Sequence, residues 1–288
     1  MTDTAQITAS YGRRYTVCTP EGKTFDATTR KKRVDFACGD IVRISPINGE
    51  QVVIEDYLPR RSLLYRQDAW KTKLIAANVD RLFIVTAAVP SPSEAFVQRA
   101  LLAAEAAGIA AVIVLNKADL PETAVWREKF SFYETLGCRI VETCALDNAD
   151  VLKPLLQGHT NIFLGQSGMG KSTLTNALLG SDTARTGGIS TALDSGKHTT
   201  THAQLYDLDA ETKLIDSPGL QEFGLHHLEA ADLLRYFPDL CHLAGQCRFH
   251  NCTHRAEPGC AVKAAAESGE VRTERVSFLQ RITDELLR

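Results

Sequence analysis

The sequence predicts a multidomain chain of three parts: an N-terminal β-barrel, a central α/β domain with a mostly parallel sheet, and a mainly helical C-terminal domain. Three observations predict this division. Short alternating segments separated by turn residues fill the first 70 positions, strand-like and helix-like segments alternate from residue 79 onward, and four of the 8 Cys lie between residues 241 and 260. We expect the domains to span residues 1–72, 73–225 and 226–288.

The N-terminal part contains several short predicted strands. Alternating apolar and polar residues predict strands over 15–19, 40–44 and 51–58, and Asn48-Gly49 between the last two predicts a hairpin turn. No segment of this part has a clear helical period. Several short strands in ~70 residues are typical of a small barrel, and the OB-fold is the leading candidate.

The central part alternates between buried strands and helices, and Gly108 and Gly137 end the first two helices. Such alternation indicates a mostly parallel sheet with helices on both faces. The predicted strands cover 79–86, 110–115, 139–143, 161–164, 203–208 and 212–215. The predicted helices cover 93–107, 122–136 and 172–179, with a terminal helix over 271–287.

The composition is ordinary for a globular protein, with 44% hydrophobic and 23% charged residues. No apolar run approaches the ~20 residues of a membrane span, and the first residues lack the pattern of a signal peptide. We therefore expect a cytoplasmic protein without a membrane partner. We also expect a monomer.

The charge is unevenly distributed along the chain. Residues 1–73 hold 13 Lys and Arg against 9 Asp and Glu, whereas the whole chain has a net charge of −3. This basic block suggests a polyanionic partner, although a solvated surface also explains it.

A phosphate-binding loop is the most specific motif. The segment follows an apolar strand, opens a helix and matches G-x-x-x-x-G-K-[ST] in full. Its backbone N–H groups and the helix N-terminus attract phosphate, the lysine reaches the β- and γ-phosphates, and the serine binds Mg²⁺. The candidate residues are Gly165, Gln166, Ser167, Gly168, Met169, Gly170, Lys171, Ser172 and Thr173.

Two further motifs are expected to contact the nucleotide, one at the γ-phosphate and Mg²⁺ and the other at the base. Asp216-Ser217-Pro218-Gly219 follows a strand, so Asp216 is expected to act on Mg²⁺ and the Gly219 N–H to meet the γ-phosphate. Asn116-Lys117-Ala118-Asp119 follows another strand, and the Asp119 carboxylate can accept both N–H groups of guanine, which adenine lacks. The residues Asn116, Lys117, Ala118 and Asp119 therefore favour GTP over ATP. Thr143-Cys144-Ala145 lies where a further base-contacting loop is expected, but its match is poor.

The order of these motifs is unusual. In ordinary small GTPases the guanine motif follows D-x-x-G, whereas here it precedes the phosphate loop, and nothing similar occurs after residue 219. The sequence therefore predicts a P-loop GTPase domain with a circularly permuted motif order. The same strands can still form the sheet, and the loop after Gly219 leads directly into the cysteine-rich region.

The segment between the phosphate loop and Asp216 supplies the candidate catalytic residue. Thr200 is the favoured threonine for Mg²⁺ and γ-phosphate, with Thr199 and Thr201 as alternatives. Ras-like enzymes place a water-orienting Gln directly after D-x-x-G, and this chain has Leu220 there. His198 is the candidate replacement, although a surface histidine is the competing interpretation.

The cysteine cluster predicts a metal site. Its pattern C-x₄-C-x-H-x₅-C suits tetrahedral Zn²⁺ and leaves no ligand position open, so the site is expected to be structural. His250 and Cys241 are possible substitutes, and free thiols or a redox pair are the alternatives to a metal. Arg248, His250 and Arg255 are candidates for an RNA-facing surface. The expected zinc ligands are Cys247, Cys252, His254 and Cys260.

These motifs together resemble the bacterial family of small-ribosomal-subunit-dependent GTPases of the RsgA or YjeQ type, over essentially the whole chain. The resemblance implies an OB-fold, a permuted GTPase domain and a zinc-binding domain. It also implies a late maturation factor of the 30S subunit that contacts 16S rRNA and hydrolyses GTP faster there. In this family a histidine of the switch segment acts in hydrolysis, which corresponds to His198.

Three functions are compatible with these motifs. The first is an RNA-activated GTPase that uses GTP with Mg²⁺ and holds one zinc per chain. The second is a binding module in which GTP only stabilises one shape, an interpretation that Leu220 supports. The third, a permuted GTPase of the large subunit, is disfavoured by the N-terminal β-domain and the zinc pattern.

Overall fold

A computed structural model describes residues 3–30, 35–68, 71–186, 200–221 and 223–288. The strands are β1 Asp3–Ser10, β2 Tyr15–Cys18, β3 Thr24–Thr29, β4 Ile41–Pro46, β5 Gln51–Tyr57, β6 Leu63–Asp68, β7 Lys71–Ala77, β8 Arg81–Ala87, β9 Ala110–Asn116, β10 Arg139–Glu142, β11 Thr160–Leu164, β12 Ala203–Asp207 and β13 Lys213–Asp216. The α-helices are α1 Glu94–Ala106, α2 Thr123–Thr135, α3 Lys153–Leu156, α4 Lys171–Thr186, α5 Ala261–Glu267 and α6 Thr273–Leu286. Helix α4 is interrupted at Gly180, where φ is 66°.

Strands β1 to β5 form a closed barrel. The strand order is β1-β2-β3-β5-β4, and β4 returns to pair with β1. Strands β3 and β5 run parallel, while the other neighbours are antiparallel. Alternate residues point inward, so the barrel has its own hydrophobic core, which includes Ile7, Tyr15, Val17, Val42 and Ile54. The predicted OB-like barrel is confirmed, and so is the hairpin at Asn48-Gly49, whose loop spans residues 47–50.

The central sheet has the order β10-β9-β8-β11-β13-β12. All neighbours are parallel except β12, which runs antiparallel to β13. Both faces are buried, since Leu82 and Ile84 of β8 contact one cluster and Phe83 and Val85 contact the other. Helices α1 and α2 cover the first face and α4 covers the second, which confirms the α/β prediction.

The barrel and the central sheet are hydrogen-bonded to each other. Strand β1 pairs with β12, so the barrel continues the sheet at its edge. Strands β6 and β7 form a separate hairpin, and β7 crosses the boundary after residue 72 that the sequence predicts. The division into domains at residues 1–72, 73–225 and 226–288 thus stays a prediction.

The C-terminal part is mainly helical. Short 3-10 helices at Leu233–Tyr236 and Cys241–Leu243 precede α5 and α6. Phe237, Val262 and Phe278 share one hydrophobic cluster with the face of the central sheet that α1 covers. This shared core fixes the C-terminal part against the central α/β domain. Among the described residues, no helix combines the length and apolar character needed to cross a membrane.

Candidate nucleotide site and metal centres

The predicted nucleotide-binding loops meet at one edge of the central sheet. The parallel register aligns Ala87 with Asn116, Leu164 with Ile84, and Phe163 with Asp216. The carboxyl ends of β8, β9, β11 and β13 therefore lie side by side. In open α/β sheets this edge is where ligands bind.

The phosphate loop has the geometry of an anion cradle. It connects β11 to α4, and Lys171, the first residue of the helix, donates from Nζ to Gly165 O at 2.9 Å and to Gln166 O at 3.0 Å. Gly170 has φ +91°, and a Cβ there would collide with the Asn116 amide. Ser167 and Gly168 are exposed at the mouth of the loop. The loop can therefore present its backbone and the helix N-terminus to phosphate.

The guanine motif is hydrogen-bonded to the phosphate loop. Asn116 Nδ2 donates to Met169 O at 2.9 Å, and Lys117 Nζ donates to Gly168 O at 3.0 Å and to Val89 O at 2.7 Å. Asn116 Oδ1 accepts from the Ala145 N–H at 3.1 Å, so the poorly matching loop at Thr143-Cys144-Ala145 does adjoin the guanine motif. The Asp119 side chain is exposed, which leaves its carboxylate accessible to a base.

Three side-chain oxygens meet beside the phosphate loop. Ser172 Oγ lies 2.7 Å from Thr200 Oγ1 and 3.0 Å from Asp216 Oδ2, and Thr200 Oγ1 lies 2.9 Å from the same carboxylate oxygen. We call Ser172, Thr200 and Asp216 the oxygen cluster. It brings together residues of α4, the segment before β12 and the end of β13.

The oxygen cluster fits a magnesium ion. All of its donors are hard oxygens, which Mg²⁺ prefers. Asp216 Oδ1 is buried and has no hydrogen-bond partner, as expected of an atom that a cation would satisfy. Burial lowers the pKa of Lys171 and raises the pKa of Asp216, and the attraction between the two charges opposes both shifts.

The loop after β13 contacts the phosphate loop through its backbone. The Leu220 N–H donates to Gly165 O at 3.2 Å, and Ser217 Oγ donates to Phe163 O at 2.6 Å. A Cβ on Gly219 would lie 2.9 Å from Ser167 Cα, so only glycine permits this approach. Leu220 itself is 6% exposed and packs into the hydrophobic core. Its side chain therefore has no polar role at the nucleotide.

The other candidates of the switch segment have different positions. His198 and Thr199 lie outside the described residues. Thr201 is exposed, and its hydroxyl lies 3.2 Å from His202 Nδ1, whereas Thr200 belongs to the oxygen cluster. Of the described threonines here, Thr200 is thus the one next to Asp216.

The cysteine cluster is assembled within one short loop. The ligand atoms of Cys247, Cys252, His254 and Cys260 all lie within 4.8 Å of one another. His254 Nδ1 is 3.6 Å from Cys247 Sγ and 3.5 Å from Cys260 Sγ, and these two sulfurs are 4.0 Å apart. Ligand atoms around tetrahedral zinc stand roughly 3.5–3.8 Å apart, so the donor set fits this ion. We call these four residues the cysteine–histidine cluster.

The two alternative ligands do not join this cluster. Cys241 and His250 are exposed, and neither belongs to the group of converging ligand atoms. Within the cluster, burial and hydrogen bonds from the Cys252 thiol to the neighbouring sulfurs of Cys260 and Cys247 raise the pKa of Cys252 to about 12. A bound divalent cation would act in the opposite direction and favour the thiolate. Glu257 shapes the loop by accepting from the N–H groups of Thr253 and Arg255 at 2.7 and 2.8 Å.

Sequence reasoning missed two contacts that support the site. Gln166 Oε1 accepts from the Ser93 N–H at 2.9 Å, which ties the phosphate loop to the start of α1. The ring of Tyr11, in the barrel, lies 4.2 Å from the ring of His202. Neither contact has a local pattern in the sequence, because its partners are brought together only by the fold.

The fold and the site define a P-loop GTPase with a circularly permuted motif order. The family model for the RsgA GTPase matches residues 57–226. A protein of Neisseria meningitidis named small ribosomal subunit biogenesis GTPase RsgA is 80% identical over 286 residues, or 99% of this chain and 93% of that protein. A Nitrosomonas europaea protein of the same name is 43% identical over 97% of this chain and 90% of its own length.

Two solved structures are similar over the whole chain. YjeQ from Thermotoga maritima superimposes with a TM-score of 0.73 at 29% identity, covering 100% of this chain and 99% of that one. YloQ, described as a circularly permuted GTPase, gives 0.68 at 25% identity, covering 100% and 96%. The chain belongs to the RsgA GTPase family, and it is therefore a GTP hydrolase.

Proposed function

We propose that this GTPase assists late maturation of the 30S ribosomal subunit, binds 16S rRNA, and hydrolyses GTP faster on the subunit. The oxygen cluster beside the phosphate loop is the observation that carries the enzymatic part, because it joins the segments that must sense the γ-phosphate. The ribosomal part rests on the relatives whose names state that role.

In the proposed reaction each loop has a separate task. The phosphate loop and Lys171 bind the phosphates, the Gly219 N–H meets the γ-phosphate, and Asp119 selects guanine. Ser172, Thr200 and Asp216 would hold Mg²⁺, which neutralises charge on the phosphates when bound. The bonds from Asn116 and Lys117 to the phosphate loop keep the base and phosphate sites at a fixed separation.

The attacking water needs a polar side chain other than residue 220. Leu220 is buried and apolar, so it cannot orient water. We propose His198 for this role because it lies two positions before Thr200 in the sequence and can donate or accept a hydrogen bond.

Two surfaces support RNA binding. The barrel exposes Arg13, Arg14, Lys23 and Arg43, whose charges suit a phosphate backbone. The loop of the cysteine–histidine cluster exposes Arg248, Phe249 and His250, and Arg248 lies over the Phe249 ring. An exposed aromatic ring beside a cation is suited to stack on an unpaired base.

We further propose that the cysteine–histidine cluster holds one structural zinc ion. Its four protein ligands complete a tetrahedral shell, so no position is left for a substrate. The protein is proposed to act as a monomer in the cytoplasm, where ribosomal subunits mature.

The alternative is a binding module in which hydrolysis is incidental, and buried Leu220 is the observation in its favour. Turnover measured with and without purified 30S subunits separates the two functions. The proposed function predicts stimulation of at least about tenfold by 30S subunits and none by 50S subunits. Equal turnover in all three conditions would refute it. Cosedimentation with 30S subunits, with GDP and with a non-hydrolysable GTP analogue, tests binding separately.

A further inference from the structure

Strand β12 is held from both sides by different parts of the molecule. On one side it pairs with β13, whose last residue is Asp216 of the oxygen cluster. On the other side it pairs with β1 of the barrel, in the register Ser10 to Ala203 and Ala9 to Gln204. Thr200 lies three residues before this strand, so the barrel holds the strand that follows the proposed magnesium ligand.

A ring contact reinforces this junction. Tyr11 and His202 have ring centroids 4.2 Å apart at an interplanar angle of 44°. His202 is half-buried and follows Thr200 by two residues. Within the described residues, the segment from Thr200 to the start of β12 is thus flanked by the oxygen cluster and by a barrel side chain.

The barrel holds Tyr11 firmly. The Tyr11 N–H donates to Arg14 O at 2.8 Å, which closes the turn between β1 and β2. Tyr15, whose side chain is buried in the barrel core, donates from its hydroxyl to Gly12 O at 3.1 Å in the same turn. Because the turn is bonded to the barrel core, the barrel sets the backbone position from which the Tyr11 ring contacts His202.

The hydrophobic core is continuous across the junction. Cys38 of the barrel region shares a cluster with Ala203 and Leu205 of β12 and with Leu220. A shift of the barrel would therefore disturb β12 as well as the loop that follows Asp216, because close-packed interiors transmit displacement.

We propose that Tyr11 is a positioning residue for the GTPase site: with strand β1 it anchors β12 and His202, and so holds Thr200 against Ser172 and Asp216. This inference rests on the proposed role of Thr200 as a magnesium ligand. Fixing Thr200 in advance lowers the conformational entropy that is lost when the segment binds Mg²⁺ and γ-phosphate. A ligand that moves the barrel would thereby change the population of molecules competent for hydrolysis.

The test is the magnesium dependence of single-turnover GTP hydrolysis by the full chain. For Tyr11→Ala we expect the half-saturating Mg²⁺ concentration to rise about two- to tenfold, the factor that one aromatic pair carries. GDP affinity should stay unchanged, because threonines of this segment contact the metal only in the triphosphate state. Tyr11→Phe keeps the ring and should restore the wild-type value.

Ile47→Ala is the matched control. Ile47 is 55% exposed and Tyr11 is 51% exposed, but Ile47 lies in the turn between β4 and β5 rather than beside β12. It should leave the magnesium dependence unchanged. An equal rise in this control would show a general effect of barrel substitutions and overturn the proposal.

A double-mutant cycle separates this inference from the proposed function. Thr200→Ala should show a larger magnesium defect, and adding Tyr11→Ala to it should cause no further loss if Tyr11 acts through Thr200. Additive losses, or a normal Tyr11→Ala protein, would overturn the positioning role alone. A normal Thr200→Ala protein would instead overturn the assignment of Thr200, and the inference with it.

Discussion

The oxygen cluster and the cysteine–histidine cluster differ in how far apart their residues lie in the chain. The oxygen cluster joins residues 172, 200 and 216, which lie on separate elements and meet only when the central sheet forms. The cysteine–histidine cluster takes all four ligands from residues 247–260. One site therefore depends on the whole fold, and the other depends on a single loop.

This difference matches the two proposed roles. A site made of distant segments can open and close as a nucleotide changes, because its members are not tied to one another by local chain. A site made of one loop and four protein ligands is closed, so it contributes folding energy rather than chemistry. A substitution that breaks one site should therefore leave the other site intact.

The largest expected effect is the loss of the cysteine–histidine cluster. Cys252→Ala should remove the metal and lower the stability of the C-terminal part by about 4 kcal/mol or more, because a structural metal site is lost. Metal analysis of protein purified without chelators should give one zinc per wild-type chain and none for the variant. GTP affinity should change little. Wild-type protein without zinc would contradict the assignment.

Loss of the proposed catalytic histidine, His198, should affect the GTPase site and leave the cysteine–histidine cluster intact. His198→Ala should reduce 30S-stimulated single-turnover hydrolysis by roughly 10²-fold or more, in the range of a positioned polar catalyst. Zinc content and GTP affinity should match the wild type. If His198→Ala weakens GTP binding and 30S binding together, the residue shapes the segment and does not act in the chemistry.

The same difference between local and distant residues explains how much of each site the sequence predicts. The cysteine–histidine cluster was predictable from spacing, because one loop contains every ligand and the chain length between them limits the geometry. The phosphate and guanine motifs were also predictable, since each is a contiguous segment after a strand. A bond from Asn116 to the phosphate loop was also predictable, but its acceptor, Met169 O, was not, because that partner depends on the parallel register of the sheet.

Strand β1 and its contacts were not predicted from the sequence, for physical reasons. Strand β1 was missed because its inward side chains at Ala5 and Ala9 are small and give a weak alternation. Strand β1 pairs with β12, although Ser10 and Ala203 are far apart in the chain. Local sequence propensity gives no signal for a pairing between such distant segments. The contact between Tyr11 and His202 depends on that pairing, so it appeared only with the structure.

A substitution in the guanine motif is expected to have an intermediate effect. Asp119→Asn should weaken GTP binding by roughly 10- to 100-fold, because the carboxylate that accepts two N–H groups from guanine is replaced. The same change should shift preference toward xanthine nucleotide, which competition binding of both nucleotides would measure. Zinc content and unfolding temperature should be unaffected. An unchanged base preference would contradict the assignment of residues 116–119.

The smallest expected effect concerns the ion pair between α1 and α6, which joins the central domain to the C-terminal part. Arg99 of α1 pairs with Glu285 of α6 and also donates to Phe223 O at 3.3 Å, so one guanidinium joins the C-terminal helix to the loop after Gly219. The pair is partly exposed, and Glu285→Gln should therefore cost only about 0.5–1 kcal/mol at pH 7.

The hydrogen bond and charge of Arg99 lower the pKa of Glu285 from its ordinary value of 4.5. Its contribution to stability is accordingly complete above that value and is lost as the pH falls below it. Equilibrium unfolding of wild type and Glu285→Gln should show a difference in stability at pH 7 that shrinks as the pH falls below 4.5. Glu134→Gln, which breaks an exposed pair with Arg127 around α2, is the control. A bound GTP analogue should stabilise the protein against unfolding. If Glu285→Gln alone weakens this stabilisation of the C-terminal part, the nucleotide site and the C-terminal part are energetically coupled through Arg99. Equal stabilisation in both variants would show that they are joined without being coupled.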